Sequence, residues 1–235
     1  MATRPRECRA RVAAVRALAA EILEADLDML EPPALAFEAG QWVSVPFGPK
    51  IVRAYSIASS PRAPARITLC ADVAPGWIGS RWFHALAPGA EVGFKGPLGG
   101  FTLARDETRR LLFVAEEIGI VPVRSILANL YAVSGTREAT LVYWARDPSW
   151  LVYGGELAAL TRRPSGLTYR PVVREAPAGW DGERGDVAAV VDRVVDDVAG
   201  VVAYVAGGGG TIDRVRQVLM AKGMERKAVK WEKFW

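Results

Sequence analysis

Residue types that usually build metal and redox centres are scarce in this sequence. Its 235 residues include two cysteines, Cys8 and Cys70, and one histidine, His84. An iron–sulfur cluster usually takes four thiolates, so the chain lacks the ligands for one. A single histidine also excludes a multi-histidine metal site. We therefore expect no metal site, and we interpret His84 as a surface or packing residue.

Long apolar segments are missing as well. No apolar run reaches the roughly 18–20 residues that a membrane-spanning helix needs. The N-terminal sequence leads into an arginine-rich stretch rather than the apolar core of a signal peptide: Met1-Ala2-Thr3-Arg4-Pro5-Arg6. We expect a cytoplasmic protein with no membrane span. The net charge of +4 is too small to favour a nucleic-acid partner.

The chain has two halves with different patterns. Over residues 7–103, Gly and Pro turn signals separate short alternating segments at 42–47, 50–58, 66–73 and 91–95. Short strands at regular spacing predict a small β-barrel. Further on, apolar runs at 111–115, 139–145, 167–173 and 201–206 alternate with helical segments at 122–131, 156–161 and 212–222. This alternation predicts a parallel sheet, and the polar link at 104–108 divides the chain into domains of residues 1–104 and 105–235.

The tetrapeptide Arg53-Ala54-Tyr55-Ser56 combines a guanidinium, an aromatic ring and a hydroxyl at a strand end. A guanidinium pairs with a diphosphate as a planar fork. An aromatic ring can lie flat against an isoalloxazine, and a hydroxyl can hydrogen-bond its N5 edge. Taken alone, Arg53 is equally a surface charge and Tyr55 a core aromatic.

Three flanking motifs extend this pattern in order and spacing. They are Gly40-Gln41-Trp42-Val43-Ser44-Val45, Gly76-Trp77-Ile78-Gly79-Ser80 and Gly96-Pro97-Leu98-Gly99-Gly100-Phe101. Together the four motifs closely resemble the FAD-binding domain of the ferredoxin–NADP reductase family. The resemblance implies a two-domain α+β fold, with a six-stranded antiparallel Greek-key β-barrel followed by an α/β parallel-sheet nucleotide-binding domain. It also makes the alanine-rich stretch at 9–30, helical by propensity alone, two antiparallel strands.

The resemblance assigns the FAD site residue by residue. Arg53 holds the diphosphate and Tyr55 packs on one face of the ring. Ser56 is a catalytic residue on the hydride path, and Ala54 and Ala71 contact the cofactor. The amides of Ile78, Gly79 and Ser80 open a helix, expected over residues 80–86, and bind the diphosphate there.

The loop that precedes this helix departs from the family pattern. Trp77 stands where relatives often have a second glycine, and it either crowds the loop or adds a stacking surface. The bland alternative for the segment Gly76 to Ser80 is a turn with a helix cap.

The second half departs from the family pattern at its functional positions. In relatives the first strand runs into a glycine-rich turn that cradles the dinucleotide diphosphate. Here Glu116 and Glu117 replace two of those glycines, while Gly119 and Pro122 are kept. Either the carboxylates turn outward, or they sit on the N-terminus of the following helix and fill the anion site.

Two further landmarks of the nucleotide half are altered. A Cys-Gly-Pro-Pro strand end in relatives appears here as Ala206-Gly207-Gly208-Gly209-Gly210, which either admits a ligand closely or is a flexible turn. By resemblance, Gly119 and Gly207 contact the nucleotide. Relatives that prefer NADP carry a Ser-Arg pair where this chain has Arg174-Glu175, and Glu175 would repel a 2′-phosphate, which favours NADH.

The C-terminus, Trp231-Glu232-Lys233-Phe234-Trp235, restores the family pattern. Relatives end in an acidic residue followed by an aromatic that covers the second face of the flavin. The resemblance makes Glu232 catalytic and places Phe234 or Trp235 against the flavin. An amphipathic final strand is the alternative.

These features predict an FAD-dependent oxidoreductase that takes hydride from NADH or NADPH. It passes electrons to a separate carrier, such as a ferredoxin, a flavodoxin or an oxygenase component, since the chain cannot hold an iron–sulfur cluster. The alternative is a flavin-bearing electron-transfer subunit or interaction module that has lost nucleotide binding. Basic residues near both termini either steer an acidic redox partner or form a solvated face.

Overall fold

The structure is a computed structural model that describes residues 4–133, 137–163 and 166–235. Met1, Ala2 and Thr3, on which part of the N-terminal expectation falls, lie outside the described residues. The chain divides into two compact units. The first contains Met1–Leu103 and Arg124–Asn129, and the second contains Ala104–Val123 and Leu130–Trp235.

The first unit is built on six antiparallel strands. They are β1 (Arg6–Ala19), β2 (Ile22–Glu31), β3 (Trp42–Pro46), β4 (Val52–Ser56), β5 (Arg66–Asp72) and β6 (Glu91–Leu98). Their order in the sheet is β4-β3-β6-β1-β2-β5. An isolated bridge between Ile57 and Leu69 links the two edges of the sheet and closes it. The predicted six-stranded antiparallel architecture is confirmed.

The alanine-rich stretch forms the long β1–β2 hairpin rather than a helix. Along the start of β1, buried Cys8, Ala10 and Val12 alternate with exposed residues, the period that a half-buried strand requires. Across the pair, Arg16 bonds the carboxylates of Glu24 at 2.6 Å and Asp26 at 2.7 Å. Burial of one face and these cross-strand pairs override the helix propensity of alanine.

The second unit is a parallel sheet with helices. Its strands are β7 (Arg110–Glu116), β8 (Ala139–Ala145), β9 (Leu167–Val173), β10 (Glu183–Arg184), β11 (Val201–Gly207) and β12 (Val229–Lys233), in the order β10-β9-β8-β7-β11-β12. All seven residues of β11 are buried, as expected for a strand covered on both faces. The predicted parallel sheet is confirmed.

Five α-helices accompany the strands in the described residues. They are α1 (Ile78–His84), α2 (Ile120–Val133), α3 (Gly154–Thr161), α4 (Val187–Val194) and α5 (Gly209–Ala221). Helix α1 begins and ends two residues earlier than predicted, and α4 was not predicted at all. Asp186 caps α4 by accepting hydrogen bonds from the amides of Ala188 and Ala189, a start signal that the sequence carries. Within the described residues no helix is long and apolar enough to cross a membrane.

Candidate functional site

The Arg53-to-Ser56 segment forms the end of strand β4. Arg53 and Tyr55 lie two residues apart and therefore share one face of the strand. The Arg53 side chain is exposed, and its guanidinium donates to the carbonyl of Val52 at 2.8 Å. No ion pair holds this guanidinium in the part of the chain that the structure describes, so it is available to an anion.

Tyr55 is held in place by aromatic packing. Its ring lies 5.4 Å from that of Trp82 and 5.7 Å from that of Phe83, measured between centroids. Burial raises the pKa of Tyr55 to about 12, against a smaller opposing effect of Arg53. The hydroxyl therefore stays protonated at neutral pH and can donate a hydrogen bond.

Gly79 brings the start of helix α1 against both side chains. A Cβ atom at this position would lie 2.7 Å from the Tyr55 hydroxyl and 3.2 Å from Cγ of Arg53. Only glycine therefore allows the first turn of the helix to approach β4 so closely. The first amides of a helix have no intrahelical acceptor, and Trp77 at the N-cap supplies no side-chain bond to them.

The resulting set consists of donors: a guanidinium, a neutral hydroxyl and free helix amides. This is the chemistry that a diphosphate requires, so the residues present fit the diphosphate of FAD. Trp77 is 67% exposed with extended backbone. Of the two interpretations of this departure, the structure contradicts crowding of the loop.

Ser56 and Ala71 lie on neighbouring segments of the barrel. Ser56 ends β4, pairs with Trp42 of β3 and is 5% exposed. Ala71 lies on β5 opposite Leu23 and is 6% exposed. The bridge that follows Ser56 directly, from Ile57, brings the end of β4 beside β5. Their cofactor contacts, with that of Ala54, stay predictions.

The two motifs that flank β4 pack on each other. The Gln41 amide donates to the carbonyl of Gly99 at 3.2 Å, and the Trp42 indole fills the space beside Gly99. Gly40 has a φ of +98° and faces the carbonyl of Phe101. The positive φ and close approach explain this glycine without a ligand.

The second unit has its topological switch point between β7 and β11. From β7 the sheet continues through β8 to β10 on one side, and through β11 and β12 on the other. Open parallel sheets bind ligands outside the carboxyl ends of the strands at such a point. The residues there are Glu116, which ends β7, and Gly207, which ends β11.

Glu116 spans this point with hydrogen bonds. One carboxylate oxygen accepts from the amide of Gly208 at 2.7 Å, and the other accepts from the hydroxyl of Thr211 at 2.8 Å. Both partners belong to the N-terminus of α5, whose N-cap is Gly208. The carboxylate therefore caps α5, favourably for the helix dipole.

Glu117 is held by a different partner. It is 7% exposed, and it accepts from Nε and NH2 of Arg146 at 2.7 and 2.9 Å. The Arg146 guanidinium also stacks 3.8 Å above the Trp150 ring. The φ of Glu117 is +46°, the left-handed region in which relatives have glycine.

The interpretation that the carboxylates turn outward is wrong, and the other holds only in part, because Glu116 lies on the N-terminus of α5 while Glu117 pairs with Arg146. Neither carboxylate turns outward, and neither lies on the N-terminus of the helix that follows β7. Arg146 and Thr211 make contacts that the sequence did not predict, because β7, β8 and α5 are far apart along the chain. The only sign of these contacts in the sequence was the presence of two glutamates where relatives have glycines.

The space beside each glycine around the switch point is occupied by other groups of the chain. A Cβ atom at Gly119 would collide with the backbone of Ala206. At Gly207 it would meet the side chain of Glu116, and at Gly208 the indole of Trp235. Close packing accounts for all three, so nucleotide contacts of Gly119 and Gly207 stay predictions.

The C-terminal residues run along the same loop. Glu232 pairs with Ala206 as part of β12, so the final strand exists. The amide of Phe234 donates to the carbonyl of Gly207 at 3.0 Å, and the amide of Gly209 donates to the carbonyl of Trp235 at 3.3 Å. The structure thus brings Phe234 and Trp235 beside Gly207, and their roles toward flavin stay predictions.

Arg174 and Glu175 follow β9 at the same carboxyl edge of the sheet, and both are exposed. The Arg174 guanidinium lies 5.5 Å from the ring of Trp144. The amide of Glu175 donates to the carbonyl of Arg146 at 3.0 Å. Both side chains are therefore accessible to a ligand at this edge.

Comparison with known proteins decides the family. Residues 10–103 match the model of the oxidoreductase FAD-binding domain, and residues 113–217 match that of the oxidoreductase NAD-binding domain. The ferredoxin–NADP reductase B of Sorangium cellulosum (strain So ce56) is 32% identical over 96% of this chain and 96% of its own length. The chain belongs to the ferredoxin–NADP reductase family.

This reductase is similar to other members as well. The reductase component of propane 2-monooxygenase from Rhodococcus jostii (strain RHA1) is 25% identical over 97% of this chain, which spans 64% of that relative. The crystal structure of an Amycolatopsis cytochrome P450 reductase superposes with a TM-score of 0.88 at 26% identity, covering 98% of this chain and 70% of that one. A Neisseria gonorrhoeae ferredoxin NADP+ reductase, at 19% identity and a TM-score of 0.83, shares the fold and covers 97% and 99% of the two chains.

The reductase is an NAD(P)H-dependent flavoprotein with FAD as its cofactor, as the sequence motifs predicted. In the described residues no group of three or more His, Cys, Asp or Glu side chains could hold a metal ion.

Proposed function

We propose that this reductase takes hydride from NADH or NADPH and delivers electrons one at a time to a separate carrier protein. Two relatives support the separate carrier: a reductase component of the naphthalene 1,2-dioxygenase/salicylate 5-hydroxylase systems from Ralstonia and a glycine betaine monooxygenase reductase subunit from Pseudomonas aeruginosa. A ferredoxin, a flavodoxin or an oxygenase component fits this role. We place the reaction in the cytoplasm.

Residues 1–104 form the FAD-binding domain in this proposal, and residues 105–235 the nucleotide-binding domain. Arg53 and the amides of Ile78, Gly79 and Ser80 hold the diphosphate. Ala54 and Ala71 line the cofactor, and the ring of Tyr55 orients it. The family pattern gives Ser56 and Glu232 catalytic roles, and it gives Phe234 and Trp235 contacts with the flavin.

FAD, when bound, accepts hydride and releases single electrons. The protein's part is to bind and orient it. Tyr55 keeps its proton at neutral pH because burial raises its pKa to about 12. Its hydroxyl is therefore a neutral hydrogen-bond donor beside the positively charged Arg53. These two side chains, together with the first amides of α1, favour an anion.

One observation carries the flavin assignment. A Cβ atom added to Gly79 would lie 2.7 Å from the Tyr55 hydroxyl and 3.2 Å from Cγ of Arg53, so the glycine backbone packs directly against both side chains. This contact joins two motifs that are separated in sequence, Arg53–Ser56 and Gly76–Ser80, into one donor set. A chance surface arginine and an unrelated turn would have no reason to meet.

The experiment is a titration of the purified protein with NADH and NADPH without oxygen, followed by its absorption spectrum. We expect a yellow protein whose flavin bands bleach with at least one nucleotide, and whose reduced form passes electrons to cytochrome c through an added ferredoxin. A colourless protein that does not take up FAD would contradict the flavin site.

A second function has its own supporting observation. Glu116 places a carboxylate on the α5 amide at the switch point, where open parallel sheets bind their ligands. If a nucleotide could not displace this carboxylate, the chain would be a flavin-bearing electron-transfer subunit that does not use a nucleotide. Flavin that is bleached by dithionite but by neither nucleotide would support this alternative.

A further inference from the structure

The start of α5 is closed by a side chain from elsewhere in the chain. Glu116 lies 92 residues before Gly208, whose amide it accepts at 2.7 Å. Its second oxygen accepts from Thr211 at 2.8 Å. Helix α5 has no N-cap side chain of its own, because Gly208 stands at the cap. The carboxylate thus takes donors that an external anion would use.

The adjoining glycine makes room for this arrangement. A Cβ atom at Gly207 would lie 2.6 Å from Cβ of Glu116 and 2.8 Å from its Oε2. Any other residue at 207 would push the carboxylate off the helix. Glycine at residue 207 is therefore required by the position of the Glu116 side chain.

The neighbouring glutamate does not act in the same way. Both oxygens of Glu117 accept from Arg146, at 2.7 and 2.9 Å, so its charge is compensated by a guanidinium. The hydrogen-bond partners of Glu116 are an amide and a hydroxyl, both uncharged, and a guanidinium reaches it only indirectly, since Arg214 donates to the Thr211 oxygen at 3.2 Å. Of the two carboxylates, Glu116 is the one that presents negative charge at the switch point.

We propose that Glu116 sets the nucleotide affinity of this reductase, because its carboxylate must give up the N-terminus of α5 when a dinucleotide binds at the β7–β11 switch point. The inference rests on the proposed use of NADH or NADPH. The free enzyme holds its own anion at this position, and the negatively charged nucleotide competes with it. Affinity is consequently lower than in a protein with glycine at residue 116.

The test compares Glu116→Gln and Glu116→Gly with the parent protein. Glutamine keeps the geometry but carries no charge. Its carboxamide oxygen can accept from the Gly208 amide, and its carboxamide NH2 can donate to the Thr211 oxygen. Glycine removes both charge and contact. Glu138→Gln is the matched control, because it removes one exposed carboxylate at the start of β8, the opposite edge of the sheet.

The measurement is calorimetric binding of NAD+ and NADP+ to the FAD-loaded proteins, at low and high salt. We expect Glu116→Gln to lower the dissociation constant about tenfold at low salt, since like charges at close range repel, and the gain to shrink as salt rises. Glu116→Gly should bind at least as tightly as the glutamine variant. Glu138→Gln should stay within about twofold of the parent.

The outcomes separate this inference from the proposed function. Binding by the parent protein with no tightening in either Glu116 variant overturns the inference and leaves the function standing. Binding by the variants alone supports the inference but overturns the proposed function, because the parent protein would then be an electron-transfer subunit that does not use a nucleotide. No binding by any of the proteins at millimolar nucleotide overturns both.

Discussion

The guanidinium of Arg146 forms a two-point ion pair with the carboxylate of Glu117, with distances of 2.7 and 2.9 Å. The pair joins the end of β7 to the residue after β8 and holds Glu117 in a left-handed conformation with φ of +46°. A β-carbon is unfavourable there. The ion pair therefore offsets backbone strain at a position where relatives use glycine.

Removal of Arg146 should destabilise the second unit. Arg146→Ala leaves the buried carboxylate of Glu117 unpaired, and we expect the free energy of unfolding to fall by about 2 kcal/mol, less than for a fully buried pair because the arginine is partly exposed. Glu117→Gly removes the pair and the strain together and should cost less. Urea unfolding of both variants and their combination measures this, and the combination should resemble Glu117→Gly alone. Additive losses would mean that the two residues stabilise the domain independently.

Arg53 should be essential for flavin retention. Arg53→Ala removes the only guanidinium assigned to the diphosphate, and loss of such a charge-assisted contact is worth about 2–3 kcal/mol, or roughly 100-fold in FAD affinity. Flavin content after purification and titration of the apoprotein with FAD measure it. Arg62→Ala, another exposed arginine of the same unit, should keep full flavin. Full FAD occupancy in the Arg53 variant would mean that the diphosphate binds elsewhere in the protein.

Acid should weaken the second unit through Glu107. The Arg109 guanidinium hydrogen-bonds this carboxylate and lowers its pKa from 4.5 to about 2. A lowered pKa in the folded state stabilises the protein above pH 4.5 and loses that contribution as the pH falls toward 2. Glu107→Gln should therefore cost about 1–2 kcal/mol at pH 7, discounted for the exposure of Arg109.

Urea unfolding at pH 7 and pH 3 checks this dependence. The difference between the parent protein and Glu107→Gln should shrink at the lower pH. Glu138→Gln, for which no ion pair is found in the described part of the chain, should show no such change. An equal loss at both pH values would assign the effect to packing instead.

Much of the barrel and its donor set could be predicted because the information is local. The order of motifs around Arg53 is readable within a few residues, whereas β1 and β2 were predicted only through the family resemblance, because alanine favours a helix there. Helix α4 was missed although Asp186 and the apolar positions after it carry a helix-start signal. The signal for α4 is therefore local and present in the sequence.

The contacts of the two glutamates could not be predicted in the same way. Glu116 and Thr211 are 95 residues apart, and Glu117 and Arg146 are 29 apart. Their pairing follows from which strands neighbour β7 in the sheet. A substitution of glycine by glutamate shows that the turn has changed, but only the three-dimensional order of strands identifies the new partners.

Gly79 provides the sharpest test of the flavin site. Gly79→Ala adds a Cβ atom 2.7 Å from the Tyr55 hydroxyl, so helix α1 must move away from β4 and the donor set must open. We expect FAD affinity to fall at least tenfold, with a modest loss of thermal stability. Tyr55→Phe removes the hydroxyl that causes the collision and keeps the ring against Trp82 and Phe83. The double variant should therefore regain part of the stability lost by Gly79→Ala alone. Gly100→Ala, where an added Cβ atom meets nothing within 4 Å, serves as the control and should bind FAD normally. If Gly79→Ala binds FAD as well as the parent protein, close approach of α1 to β4 is not what forms the site.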